Sequence, residues 1–277
     1  MSVNQILKYI IYLFLTIFIL YGLYVFLFYV NQENDLFQEP DLSREKAQEI
    51  NAENKKAEEL FIETEDGTSL HGWLLNNSNH SPSRLLIYFG GNSEEVSRTL
   101  PEFEQLNDWS VLLVNHRGYG LSEGTPSEAA LFHDAKAIYD FISEREEIDS
   151  EHIAVMGRSM GTAPATHLSK ERNVAGTVLV SPYDSRTRVM KDRYPLIPVE
   201  RLIRHPFKVS DKAESIESPL LALLASEDEI IPTEHSAATL AAWKGESQKV
   251  WLEGYNHNNL QSSPDFWKSI QTFLDEL

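Results

Sequence analysis

Short, unbroken apolar runs that end in glycine or polar turn residues set the strongest limit on how this chain can fold. Residues 85–89 (LLIYF) run into Gly90-Gly91-Asn92, residues 111–115 (VLLVN) into HRGYG, and residues 152–156 (HIAVM) into Gly157-Arg158-Ser159-Met160-Gly161. Thr177–Val180 and residues 220–224 and 250–252 repeat the pattern. A strand that is apolar on both faces has to be covered on both faces. Between these runs lie segments with helical periodicity. Leu131, Ala135, Ile138, Phe141 and Ile142 recur at helical spacing within residues 127–143, and further helices are expected over residues 234–243 and 264–277. Ser263 is the expected N-cap of the last, with Pro264 as its first residue. Residues 60–64 and Ser69–Leu75, joined through Asp66-Gly67, read as two strands and a turn. Strands alternating with helices predict an α/β domain with a mostly parallel central sheet and helices on both faces. Chemistry is then expected at the carboxyl ends of the strands.

Ahead of this body, residues 9–30 (YIIYLFLTIFILYGLYVFLFYV) carry no charge. As a helix these 22 residues would span about 33 Å, the thickness of a bilayer's hydrocarbon core. Tyrosines near both ends suit the interfaces. The run is longer than the core of a signal peptide, and Asn31-Gln32-Glu33 offers no small-residue cleavage site. One retained transmembrane anchor over residues 1–30 is therefore expected. Residues 31–58 are polar and rich in helix formers without a strong apolar face, and read as a solvated juxtamembrane spacer. Residues 59–277 form the expected catalytic domain. A short amino-terminal tail with Lys8 beside the anchor favours an extracytoplasmic body, the periplasm in a bacterium.

The body has the composition of a folded domain, with 42% hydrophobic and 24% charged residues. A net charge of −18 argues against nucleic acid as a partner. The absence of cysteine removes thiol nucleophiles, disulfides and thiolate metal sites. No metal-ligand cluster stands out, and no cofactor is needed for the chemistry that follows.

The Gly-Arg-Ser-Met-Gly sequence lies between a strand and a helix. There, a serine held on a tight turn exposes its hydroxyl, and flanking glycines leave room for the backbone. Ser159 is the expected nucleophile. A serine hydroxyl needs a base, and His257, between the last strand and the last helix, stands where the order Ser, acid, His requires it. The imidazole needs an anion to orient it. Asp228, in the turn after residues 220–224, is the candidate, with Asp184 after the preceding strand as its rival. Oxyanion donors are expected from the backbone of Met160 and, in the loop after residues 85–89, of Asn92.

YFGGN, NHRGYGLSEGTPSE, GRSMGT, ASEDEIIP and GYNHNN, in this order, resemble the membrane-anchored α/β-hydrolase-domain proteins and the related serine aminopeptidase-like (S33-type) hydrolases. The resemblance covers residues 61–277, and RGYGLSEGTPSE is its most specific stretch. It implies the α/β-hydrolase fold, a triad of Ser159, Asp228 and His257, and an oxyanion hole at Asn92 and Met160. It also implies esterase, thioesterase or lipase chemistry on acyl substrates. Two positions depart from the family pattern. Phe89 stands where a histidine usually precedes the glycines, and Asn115-His116 where Asp-Tyr is common.

About 35 residues separate the strands on either side of Pro182 and Ser218, which allows only a short cap and predicts an open site. Residues 184–212 hold eight Arg and Lys against four Asp and Glu, a local reversal of the chain's charge. Arg201 and Arg204 are the candidate substrate rim for anionic substrates or lipid headgroups. The expected substrate is an acyl ester or thioester, lipid or acylated protein. An aminopeptidase-like amide hydrolase and a non-catalytic scaffold or sensor are the alternatives.

Overall fold

The computed structural model describes residues 2–277. Eight strands form one sheet: β1 (Ala57–Glu63), β2 (Ser69–Leu75), β3 (Ser83–Phe89), β4 (Trp109–Val114), β5 (Ile148–Arg158), β6 (Thr177–Val180), β7 (Leu220–Ala225) and β8 (Ser247–Leu252). Their spatial order is β1-β2-β4-β3-β5-β6-β7-β8. The β1–β2 and β2–β4 pairs are antiparallel and every pair from β4 through β3 to β8 is parallel. This is the α/β-hydrolase fold. The strand ends differ from the expected ones by a few residues, because ladder hydrogen bonds continue past the apolar runs.

The helices are α1 (Val3–Leu36), α2 (Arg44–Glu53), α3 (Leu100–Phe103), α4 (Glu128–Ser143), α5 (Thr162–Glu171), α6 (Arg186–Arg193), α7 (Val199–Leu202), α8 (Ser210–Ala213), α9 (Thr233–Ala242) and α10 (Pro264–Asp275). Side chains alternate across the sheet, so each strand feeds two cores. Leu86 and Tyr88 of β3 join Phe266, Ile270 and Phe273 of α10 on one face. Leu85, Ile87 and Phe89 join Ala135, Ile138 and Ile142 of α4 and Leu168 of α5 on the other. Ser263 caps α10 as the sequence predicts, its hydroxyl accepting from Asp265 N–H.

The apolar run at the amino terminus lies within α1, a 34-residue helix long and apolar enough to cross a membrane. The helix does not stop at Val30. It continues through Asn31–Leu36 and ends at Phe37, which is extended and whose N–H donates to Glu33 O.

The segment expected to be a solvated spacer is instead docked on the body. Gln32 is buried and bonded across the chain, its amide donating to Leu202 O and its carbonyl accepting from Arg204 N–H. Phe37 packs in a third cluster with Tyr119, Met160 and Phe207. Gln38 N–H donates to Asn92 O, and Gly120 N–H to Pro40 O. Ala47 of α2 lies in the core beside Trp73, whose indole N–H donates to Asn51. The few apolar side chains in this stretch are spaced irregularly, so they give no helical stripe, yet burying Phe37 alone is worth about 1.5–3 kcal/mol.

Candidate active site

Ser159 stands at the end of β5 with φ +51°, a strained conformation for a residue with a side chain. The flanking glycines make the turn possible. A Cβ on Gly157 would fall 2.3 Å from Gly161 O, and one on Gly161 would fall 2.1 Å from Phe89 O. The turn is therefore pressed against β3 and then leads into α5. Thr162 Oγ1 donates to Ser159 O and holds the first turn in place.

The structure brings Ser159, His257 and Asp228 into one hydrogen-bonded line. His257 Nε2 lies 3.0 Å from Ser159 Oγ, and His257 Nδ1 lies 2.8 Å from Asp228 Oδ2. His257 is buried and the Asp228 carboxylate nearly fully so. Asp228 Oδ1 accepts from the N–H groups of Ile230 and Ile231. Burial opposes ionisation of Asp228, but the hydrogen bond and charge of His257 and the Ile231 N–H outweigh it and hold the carboxyl below its ordinary pKa. An ionised Asp228 on Nδ1 fixes the tautomer that leaves Nε2 free to accept a proton from Ser159.

The rival carboxylate is engaged elsewhere. Asp184 Oδ1 meets His235 Nδ1 at 3.0 Å, and its other oxygen meets Arg188 at 2.7 Å. It fastens α6 and α9 to the body and does not bond His257.

Asn92 and Met160 line the same cavity as Ser159 and His257. The Asn92 loop is held on several sides. Gly91 N–H is occupied by Glu94, whose carboxylate also accepts from Tyr88 Oη at 2.6 Å. Asn92 O accepts from Tyr119 Oη at 2.7 Å. His116 Nε2 bonds Gly90 O at 3.0 Å, and burial lowers the pKa of this imidazole, so it stays neutral and Nε2–H donates. His116 thus reaches the Asn92 loop from the neighbouring strand end, at one of the positions where the chain departs from the family pattern. Sequence reasoning missed Glu94, His116 and Tyr119 as supports, because only the fold brings the ends of β3 and β4 together.

The cavity, about 550 Å³, stays half open to solvent, as the short cap predicts, and is walled on two sides. The short cap covers it from one side through Val189 and Met190 of α6, and α1 closes another side through Phe28, Gln32 and Leu36. Of the expected basic rim, neither residue lines the cavity. Arg204 lies over the Tyr29 ring at 4.4 Å and pairs with Glu33 at 3.0 Å, which fastens the cap to α1. The arginines that do line it are Arg186 and Arg193. Charge counting found the right stretch but could not tell which side chains turn toward the cavity.

The family model described as serine aminopeptidase, S33, matches residues 80–202. An uncharacterized protein of Mycobacterium tuberculosis, Rv2307c, is 31% identical over 222 residues, 79% of each chain. The α/β hydrolase domain-containing protein WAV2 of Arabidopsis thaliana is 26% identical over 242 residues, again covering 79% of each. Among solved structures, the Pyrococcus furiosus esterase Pf2001 superposes with a TM-score of 0.61 at 21% identity, over 82% of this chain and 95% of that one. That likeness concerns the fold.

Proposed function

The chain belongs to the α/β-hydrolase-domain family, and from that premise we propose that it is a membrane-tethered serine hydrolase that cleaves carboxylic esters or thioesters through an acyl-enzyme. The observation that carries this reading is the unbroken line Ser159 Oγ, His257, Asp228, with spacings of 3.0 and 2.8 Å.

In the proposed reaction His257 Nε2 takes the Ser159 proton as Oγ attacks the acyl carbonyl carbon. The backbone N–H groups of Met160 and Asn92 stabilise the oxyanion, the kind of donor whose loss costs about 10²–10³-fold in kcat. The imidazolium, steadied by Asp228, passes its proton to the leaving oxygen or sulfur as that bond breaks. Water then attacks the acyl-Ser159 ester, gives its proton to the same imidazole, and the carboxylic acid departs while Ser159 recovers its proton.

Residues 1–30 supply the anchor and residues 59–277 the catalytic domain in this reading, and the connecting segment builds part of the site. The body lies on the extracytoplasmic side. A carboxyl-terminal alkaline phosphatase fusion should be active in intact bacterial cells, and an inactive fusion would reverse the orientation.

Amide hydrolysis ranks second. An aminopeptidase needs carboxylates for the substrate amine, whereas the cavity lining holds one carboxylate, Asp35, against two arginines, Arg186 and Arg193. The test compares p-nitrophenyl acyl esters with dipeptide amides. Ester turnover lost in Ser159→Ala supports the proposal. Turnover of amides alone replaces it with the peptidase reading, and a folded chain inert to both leaves a scaffold.

A further inference from the structure

The wall that α1 gives to the cavity has a consequence for where the substrate comes from. The loop of residues 194–198 (YPLIP), between α6 and α7, runs back along α1 toward its membrane-spanning part. The Tyr194 ring meets Phe28 with centroids 5.2 Å apart. Seven residues earlier on the helix, a rise of about 10 Å, Tyr21 Oη donates to Leu196 O at 2.9 Å. Tyr21 lies nine residues inside the carboxyl end of the uncharged run at Val30, about 14 Å along the axis. The charged level is marked by Arg204, over Tyr29 and paired with Glu33. Leu196 therefore lies on the hydrocarbon side of that level.

The loop is built for such a place. Leu196 is 72% exposed, more than any other large hydrophobic residue outside α1 among the described residues. In water that exposure is unfavourable, and in lipid it is not. Its backbone carries few free donors, as lipid demands. Pro195 and Pro198 have no N–H, Tyr194 N–H donates to Met190 O, and Ile197 N–H donates to Tyr194 O. The cavity between this loop and Ser159 is lined on its anchor side by Phe28 and Leu36 and on its cap side by Met190 and Tyr194. Arg186 and Arg193 line it too. Neither has a carboxylate within ion-pair distance among the described residues; Arg186 donates only to the carbonyls of Gln32 and His205.

We propose that residues 194–198 insert into the leaflet beside α1, and that the site takes from that leaflet the acyl chain of an anionic glycerophospholipid. The chain would lie along Phe28, Leu36 and Met190, and the phosphate would meet the unpaired guanidinium of Arg193. This rests on Ser159 as nucleophile. Oγ attacks the ester carbonyl, the glycerol oxygen leaves with the proton from His257, and water releases the fatty acid.

The full chain in vesicles of phosphatidylglycerol and phosphatidylcholine tests this in two arms. Because the chain has no cysteine, Leu196→Cys carries a single environment-sensitive fluorophore. Glu146→Cys, ahead of β5 at the opposite end of the sheet, is the control. Lipids with doxyl groups on the acyl chain should quench the probe at 196 and leave that at 146 unchanged. Equal quenching at both, or none at 196, overturns the insertion whatever the enzyme does.

In the second arm, Leu196→Asp should lower fatty-acid release from vesicle phosphatidylglycerol about tenfold, with p-nitrophenyl butyrate turnover in detergent unchanged. Arg193→Gln should erase the preference for phosphatidylglycerol over phosphatidylcholine. Parent rates equal on the two lipids, or cleavage of an S-acylated peptide with neither lipid touched, overturn the lipid assignment. A parent inert to every ester defeats the serine-hydrolase reading instead, while the quenching arm still decides whether the loop inserts.

Discussion

His116 Nε2 sits 3.0 Å from the carbonyl oxygen of Gly90, a hydrogen bond from the end of β4 to the first residue of the loop that carries Asn92. The donor is buried and neutral, so this bond persists across the physiological pH range. His116→Phe keeps the ring volume and removes the donor. It should lower kcat for ester hydrolysis by roughly tenfold, a fraction of what losing an oxyanion donor costs, with KM little changed. Full parental activity in a folded His116→Phe protein would show that the loop needs no such support.

Gly161 is the tightest point of the elbow. A methyl there would fall 2.1 Å from Phe89 O, a backbone atom that cannot swing away. Gly161→Ala should therefore unfold the turn or displace β3, and cost more than about 3 kcal/mol in stability, the scale of severe core strain. Gly67→Ala meets nothing within 4 Å and is opposed by its φ of +77° alone, so it should cost far less. Chemical denaturation of both variants checks the ranking.

Asp228 and Asp184 are both buried aspartates paired to a histidine, and they should separate cleanly on mutation. Asp228→Asn should reduce kcat by about 10⁴-fold while the protein stays folded, because His257 loses the partner that fixes its tautomer. Asp184→Asn should lower the melting temperature, since Arg188 and His235 lose their shared carboxylate. Its effect on kcat should be small in comparison. Swapped outcomes would reassign the acid.

His167 of α5 stacks on Phe132 at 4.4 Å, and its Nδ1 is buried without a hydrogen-bond partner. Burial lowers its pKa from the usual 6.5 to about 4. The unfolded chain then binds a proton that the folded chain refuses between those values. Stability from this group is present above pH 6.5 and is lost as pH falls toward 4. His167→Gln should flatten that part of the stability profile. Parallel profiles for parent and variant between pH 7 and 4.5 would contradict the assignment.

Much of this architecture is written in local sequence. The runs of residues 85–89 and 220–224, short and bounded by turn residues, read as buried strands, and Ser159, Asp228 and His257 stand in turns right behind such runs, where strand order brings them together. What local sequence did not carry is direction across the fold. Residues 9–30 are apolar all round, so nothing distinguishes Phe28, which walls the cavity, from Phe26, which does not. Gln32 looks like any polar residue of a spacer until Leu202 and Arg204 are placed beside it. The arginines of residues 184–212 are equivalent in sequence, and only the fold buries Arg186 against α1, leaves Arg193 at the cavity's exposed edge, and gives Arg204 to Glu33.

An activated Ser159 should react with a fluorophosphonate, and labelling of the full chain in nanodiscs beside Ser159→Ala checks it. The parent should label rapidly with the adduct on Ser159, and the variant should not label. A folded parent that stays unlabelled, or equal labelling of both proteins, would contradict it.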